Sequence, residues 1–246
     1  MKIIISPAKK MNMVSDLLKV NQLPDFLEET RILLAFLKGR TFQELQEIWK
    51  CNEKIAEQNY ERIKTMDLER NLTPAILAYE GIQYQYMAPQ VMERKALDYV
   101  EEHLRILSGF YGILRPFDGV VPYRLEMQSR LTAFTESSLY KFWDSKLYDK
   151  FMEEEIILNL ASKEYSKCIE KYVKKEQKFI TCVFGELVEG KVKEKGTYAK
   201  MARGEMVSYL AGKQAETLAE VKQFCGLGYE FKEELSSATE FVFLKK

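Results

Sequence analysis

The chain has 246 residues, 46% hydrophobic and 30% charged, which is the balance of a folded globular protein with the length for one large domain or two small ones. Its 37 basic residues cancel its 37 acidic ones, and its amino-terminal apolar run is only three isoleucines long. A signal-peptide core and any segment approaching about 18 continuous apolar residues are therefore excluded, and a soluble, cytoplasmic protein with no membrane partner is expected.

"KIIIS" (2–6) reads as a short buried strand ended by Pro7, with "AKK" opening a loop. "PDFLEETRILLAFLK" (24–38) has apolar residues at helical spacing and stops at Gly39. "TFQE" (41–44) is a capping box, Thr41 paired with Glu44, so a helix runs to about Lys50; Asn52 caps the next, "NEKIAEQNYERIKTM". Residues 24–70 thus form a helical insertion. "AILAY" (75–79) reads as a strand ending near Gly81, "QVMERKALDYVEEHL" as an amphipathic helix, and "ILSG" as a strand entering a glycine-rich turn.

The second half alternates. "LYKFWDSKLYDKFMEEE" is predicted as a helix, "IILNLAS" as a buried strand and "EYSKCIEKYVKK" as a helix. "FITCVFGELVEGKVKEKGTYA" reads as a hairpin, "KMARGEMVSYLAGK" and "TLAEVKQFCGLG" as helices, and "TEFVFLK" as a closing strand. The fold class is mixed α/β with at least five strands: a single domain over 1–246, its mixed sheet surrounded by helices, with no repeat and no low-complexity linker.

Four cysteines (51, 168, 182, 225) lack any CxxC spacing and read as free thiols, and the one histidine, His103, leaves no Cys/His zinc set. No cofactor and no metal are expected, although a magnesium site of carboxylates alone stays open. Charge is uneven: residues 163–203 carry 11 Lys/Arg against 6 Asp/Glu, a surplus of +5, so the remainder carries −5. Such a segment attracts phosphate or is simply a solvated lysine-rich surface.

"SPAK" (6–9) fits the S-x-x-K of serine acyl-enzymes, but Pro7 follows a strand and the companion S-D-N and K-T-G elements are absent, so Lys9 suits an anion better. "GFYG" (109–112) is a bare GxxG without the order of elements of a KH module. "ARGEM" puts Arg203 three residues after Lys200 on one helix, facing a shared partner or solvent. The densest stretch is "LSGFYGILRPFDGVVPYRLEM" (107–127), with three glycines, two prolines, two arginines and two tyrosines among apolar residues. Here Ser108 and the turn N–H groups, Tyr111 and Tyr123 with stacking faces, and Arg115 and Arg124 oriented by Asp118 and Glu126 resemble a site for something planar and anionic, such as a nucleotide. The other reading is a buried ion-pair network that positions loops.

Taken with "AILAYEG", "LYKFW", Asn159, Ser162, Glu164 and Tyr165 of the "NLAS–EY" stretch, "AKMARG" and "GYEF", these segments are similar to the bacterial YaaA family from residue 2 to the last strand. The resemblance implies a cytoplasmic protein of the peroxide-stress response that binds DNA and limits iron-linked damage. It also implies an unusual α/β fold with a positively charged cleft and a helix-hairpin-helix element, which falls here on the helices around 42–65. That hairpin normally carries a glycine, whereas this chain reads "EIWKCNEKIAE", so Lys50 or Lys54 would have to meet phosphate in its place.

Two functions follow. In one, Lys9, Arg115, Arg124, Lys200 and Arg203 converge on one cleft and hold double-stranded DNA with weak sequence preference, Ser108, Tyr111 and Tyr123 adding contacts. In the other, the cleft belongs to an enzyme acting on a nucleotide or damaged base, with Glu126 or Glu164 as general acid/base and Lys9 as electrostatic stabiliser.

Overall fold

The computed structural model describes residues 1–14, 17–131, 133–134 and 138–246. Its centre is a mixed sheet of eight strands: β1 (Lys2–Ile5), β2 (Leu104–Ser108), β3 (Gly112–Leu114), β4 (Ile156–Leu160), β5 (Lys178–Val188), β6 (Lys191–Lys193), β7 (Tyr229–Phe231) and β8 (Glu240–Lys245). The spatial order is β7-β8-β5-β4-β1-β2-β3, with β6 hairpinned onto β5. The central run β2, β1, β4, β5 and β8 is parallel, whereas β3 and β7 pair antiparallel at the edges. The isoleucine run forms β1 because a central parallel strand is covered on both faces: Ile3, Ile4 and Ile5 are all fully buried.

Strand β1 pairs with β2, which comes about a hundred residues later, and with β4 on its other side, the registers placing Ile5 opposite Ile106 and Leu160. The chain therefore leaves β1 toward one side of the sheet and returns to the other. The carboxyl end of β1 is a topological switch point, where the loops after β1, β2 and β4 diverge and leave a crevice.

Three helices fill residues 24–70: α1 (Leu27–Lys38), α2 (Phe42–Trp49) and α3 (Glu53–Thr65). The capping box holds, with Thr41 Oγ1 accepting the Glu44 N–H at 3.3 Å and Glu44 accepting the Thr41 N–H at 2.7 Å. Asn52 caps α3 through Ile55 N–H at 3.0 Å. Between them, Lys50 takes the left-handed conformation (φ 45°) where a glycine would meet no steric penalty. Further on come α4 (Ile82–Met87), α5 (Arg94–His103), α6 (Lys163–Glu170) and α7 (Gly196–Lys213).

Several predicted elements differ. "AILAY" is not a strand: Ala75–Ala78 is one helical turn, its Ala75 and Ile76 N–H groups bonded to the carbonyls of Asp118 and Pro116, and only Tyr79–Glu80 extends to pair with Lys10–Met11. A short apolar run cannot distinguish strand from helix by itself, and the long-range partners decided it. The helix expected from Leu139 breaks into Leu139–Trp143 and Lys146–Asp149 at Asp144 (φ 42°). "GTYA" starts α7 instead of extending the hairpin, and "TLAEVKQFCGLG" keeps only Leu218–Lys222 as α-helix. No described helix is long and apolar enough to cross a membrane.

Candidate functional site

A cleft of about 390 Å³ opens at the switch point, between the loop after β1, the amino-terminal end of α6, the 123–126 segment, α4 and α7. Local hydrogen bonds draw these together. Ser6 Oγ accepts the N–H of Ser162 at 2.8 Å, and the Tyr84 hydroxyl donates to the Ser6 carbonyl at 3.0 Å. The Ser162 hydroxyl lies 3.2 Å from Ser6 Oγ and makes no cap hydrogen bond to the first turn of α6.

Two glycines make the approach possible. A Cβ on Gly109 would lie 2.6 Å from the Leu125 carbonyl oxygen, so only glycine lets "PYRLEM" run against the end of β2 and turn Arg124 and Glu126 into the cleft. A Cβ on Gly204 would lie 2.1 Å from the Gln83 carbonyl oxygen, and that bare spot lets α4 settle on α7 and sets Gln83 beside Arg203.

The lining is bipolar. Lys9, Lys10, Arg124, Lys200 and Arg203 meet Glu80, Glu126 and Glu164 there. Lys9 Nζ lies 2.8 Å from Glu126 Oε2, Arg124 Nη2 lies 3.5 Å from Glu126 Oε1, and Arg203 Nη2 lies 3.3 Å from Glu194 Oε1. Glu164 Oε1 accepts the Gln128 N–H at 3.2 Å. Burial, reinforced by the charge of Glu126, holds the Glu164 carboxyl above the ordinary glutamate range, against the pull of that N–H and of Lys9. Among the described residues five buried side-chain donors lack a partner, and three of them, Gln83 Nε2, Arg124 Nε and Arg203 Nε, belong to this one cleft. An unpartnered buried donor costs about 1–3 kcal/mol, so a concentration of them beside a cavity marks groups that a bound acceptor or an ordered water completes.

Of the five cations expected to converge, Lys9, Arg124, Lys200 and Arg203 do, joined by Tyr123, Glu126 and Glu164. Arg115 does not. It pairs with Asp25 at 2.5 Å and Asp118 at 3.1 Å, beside Arg105 and Lys150 in a separate hollow of about 100 Å³. Ser108 and Tyr111 are fully buried behind the cleft wall. Ser108 Oγ accepts the N–H groups of Phe110 and Tyr111 at 3.2 and 2.9 Å and lies 2.6 Å from the Tyr123 hydroxyl, while the Tyr111 hydroxyl accepts the Val121 N–H at 3.1 Å. They hold the turn and Tyr123 in place, because a turn that must pass inside the sheet edge needs its N–H groups satisfied by the protein. His103 lies away from the cleft, its Nδ1 2.8 Å from the Met1 carbonyl oxygen and its Nε2 3.1 Å from Glu216.

Sequence reasoning missed Gln83, Ser6 as a tether and Glu194 as the partner of Arg203. "GIQYQYM" carries no motif, and Gln83 gains meaning only from its contact with Gly204. The α2–α3 turn borders the same region: Arg124 and Glu126 are close enough to act on the Cys51 thiol in opposite directions, although burial dominates and pushes it up.

Residues 1–235 match the family model described as peroxide stress protein YaaA. A UPF0246 protein of Lachnoclostridium phytofermentans is 56% identical over 246 residues, covering 100% of this chain and 96% of that one. UPF0246 proteins of Desulfitobacterium hafniense and Pediococcus pentosaceus are 54% and 50% identical, each over 100% of this chain and 98% of its own length. With a family model matched over nearly its whole length and relatives of this identity from end to end, the chain belongs to the YaaA family of peroxide stress proteins.

Proposed function

We propose that this protein serves the peroxide-stress response by binding DNA, with Lys9, Arg124, Lys200 and Arg203 of the cleft meeting phosphate. The observation that carries this reading is the gathering of unpartnered guanidinium and amide donors with exposed lysines at a switch-point crevice. Phosphate contacts supply affinity without reading bases, so sequence preference is weak, and near-zero net charge keeps binding modest. A cytoplasmic location and the limiting of iron-linked damage belong to the same reading, as does a helix-hairpin-helix role for α2 and α3, whose turn offers Lys50 rather than a glycine. Fluorescence anisotropy with a labelled duplex tests it. Four phosphate contacts give a log K against log salt slope near −3.6, about −0.9 per contact, since Arg115 lies in a separate hollow outside the cleft. A slope near zero, or no binding at low salt, removes DNA as a partner.

A second reading rests on the carboxylates. Glu164, raised by burial, next to Glu126, which is bound to Lys9, makes an acid/base pair for chemistry on a nucleotide or damaged base. A product screen with nucleotides tests this, and Glu126→Gln or Glu164→Gln then lowers the rate by about 10²–10⁴ while binding persists.

A further inference from the structure

A plain phosphate clamp has no use for carboxylates, yet this cleft presents Glu126 and Glu164 among its cations. Glu126 is occupied by Lys9 and Arg124, but the second oxygen of Glu164 has no donor among the described residues. Gln83 is 7% exposed, is fixed in place where its carbonyl abuts Gly204, and has an amide nitrogen without an acceptor. Tyr84, Tyr123 and Tyr165 supply aromatic surface along the same wall. The occupant must therefore be anionic at one part, rich in hydrogen-bond donors and acceptors at another, and partly apolar and flat. The volume of about 390 Å³ falls in the range of small-molecule sites.

From this we infer that the cleft seats one nucleotide unit: its phosphate is taken by Arg124, Arg203 and Lys200, and its base edge by Glu164 and Gln83. The inference rests on the cleft being a phosphate site. A free nucleoside monophosphate and a nucleotide extruded from a strand present the same chemistry, and the two sources differ only in what the ligand is attached to. Glu164 accepts from an exocyclic amine or ring N–H, as carboxylates do toward bases, and Gln83 offers the paired donor and acceptor by which carboxamides read base edges. For a strand, unstacking one nucleotide costs a few kcal/mol, least where it is already unpaired, so a duplex with an unpaired nucleotide is the better ligand.

Calorimetric titration of the full-length protein separates the possibilities. The probes are the four deoxynucleoside 5′-monophosphates, the deoxynucleosides, inorganic phosphate, and a short duplex with or without one unpaired nucleotide. At least one monophosphate, or the duplex with the unpaired nucleotide relative to the intact one, is expected to bind about tenfold or more tighter than inorganic phosphate and the nucleosides. Which of the two does so identifies the source. Glu164→Gln should change the ranking among bases and leave phosphate binding intact or slightly tighter; Gln83→Leu should weaken the nucleotide arm alone, with Tm recorded for both. If phosphate binds as well as every nucleotide and Glu164→Gln changes nothing, the nucleotide seat is overturned while the phosphate reading survives. If neither inorganic phosphate nor any monophosphate binds and intact duplex binding is indifferent to Arg124→Ala, both fall together.

Discussion

Arg115 and Arg124 come from one stretch of sequence, nine positions apart, and meet opposite fates. Arg115 is closed on both sides by Asp25 and Asp118, and Asp118 also accepts the Arg115 N–H at 2.9 Å. Arg124 has one long contact to Glu126 at 3.5 Å and a buried Nε with no partner. A satisfied guanidinium positions loops, and an unsatisfied one is available to a ligand. Identical residue types with similar neighbours in sequence thus separate into structure and function according to how many of their donors the fold consumes.

Exchanging the two arginines for alanine gives the sharpest test of that contrast. Arg115→Ala leaves Asp118, 1% exposed and already shifted up by burial, without its cation, and should cost roughly 2–4 kcal/mol of stability, somewhat under the full cost of breaking a buried pair because Arg115 is partly exposed. Urea denaturation reads this, and anion affinity should be unchanged in the protein that remains folded. Arg124→Ala should do the reverse: about 1.5–3 kcal/mol of anion or DNA affinity lost by titration, with the denaturation midpoint nearly fixed. Equal effects of the two on both measurements would erase the distinction.

The carboxylates extend the comparison to pH. Because the folded-state pKa of Glu164 lies above its unfolded value, the native state holds more protons in the window between them. Stability from this group is therefore greatest below the ordinary glutamate range and falls as pH rises toward the raised value. Glu164→Gln should consequently be more stable than the parent at neutral pH, with the gap closing as pH drops below that range, as thermal melts across a pH series would show. A gap that widens toward acid would mean the charge is favoured in the fold. The smallest effect is expected at Lys50, whose left-handed backbone a glycine adopts freely. Lys50→Gly should raise stability by about 0.5–1 kcal/mol in the same melts while weakening DNA binding if that turn meets phosphate.

Much of the fold was legible. The isoleucines of β1, the capping box at Thr41, the Asn52 cap and the β5–β6 hairpin each depend on neighbours within a few residues, and local chemistry specifies them. "AILAY" was not, because the turn at Ala75–Ala78 answers to carbonyls of residues 116 and 118. In the site, Lys9, Arg124, Glu126, Glu164, Lys200 and Arg203 could be read as charged groups beside turns or strand ends. Arg115 was read the same way and lies elsewhere, because its partner Asp25 is ninety residues distant. Gln83 was invisible, an ordinary glutamine on a short helix.

By itself the sequence determined most of the element types, the α/β class and the family, since hydrophobic period, capping residues and the "SGFYGILRP" and "PYRLEM" runs are local and specific. Only the tertiary structure decided which polar groups share a cavity. The order of strands around β1 creates the crevice, the missing side chains of Gly109 and Gly204 let the walls close on it, and long-range ion pairs withdraw some cations while leaving others unsatisfied. Packing of segments far apart in the chain sets each of these, because hydrogen-bond satisfaction depends on every donor and acceptor within reach and not on position along the chain.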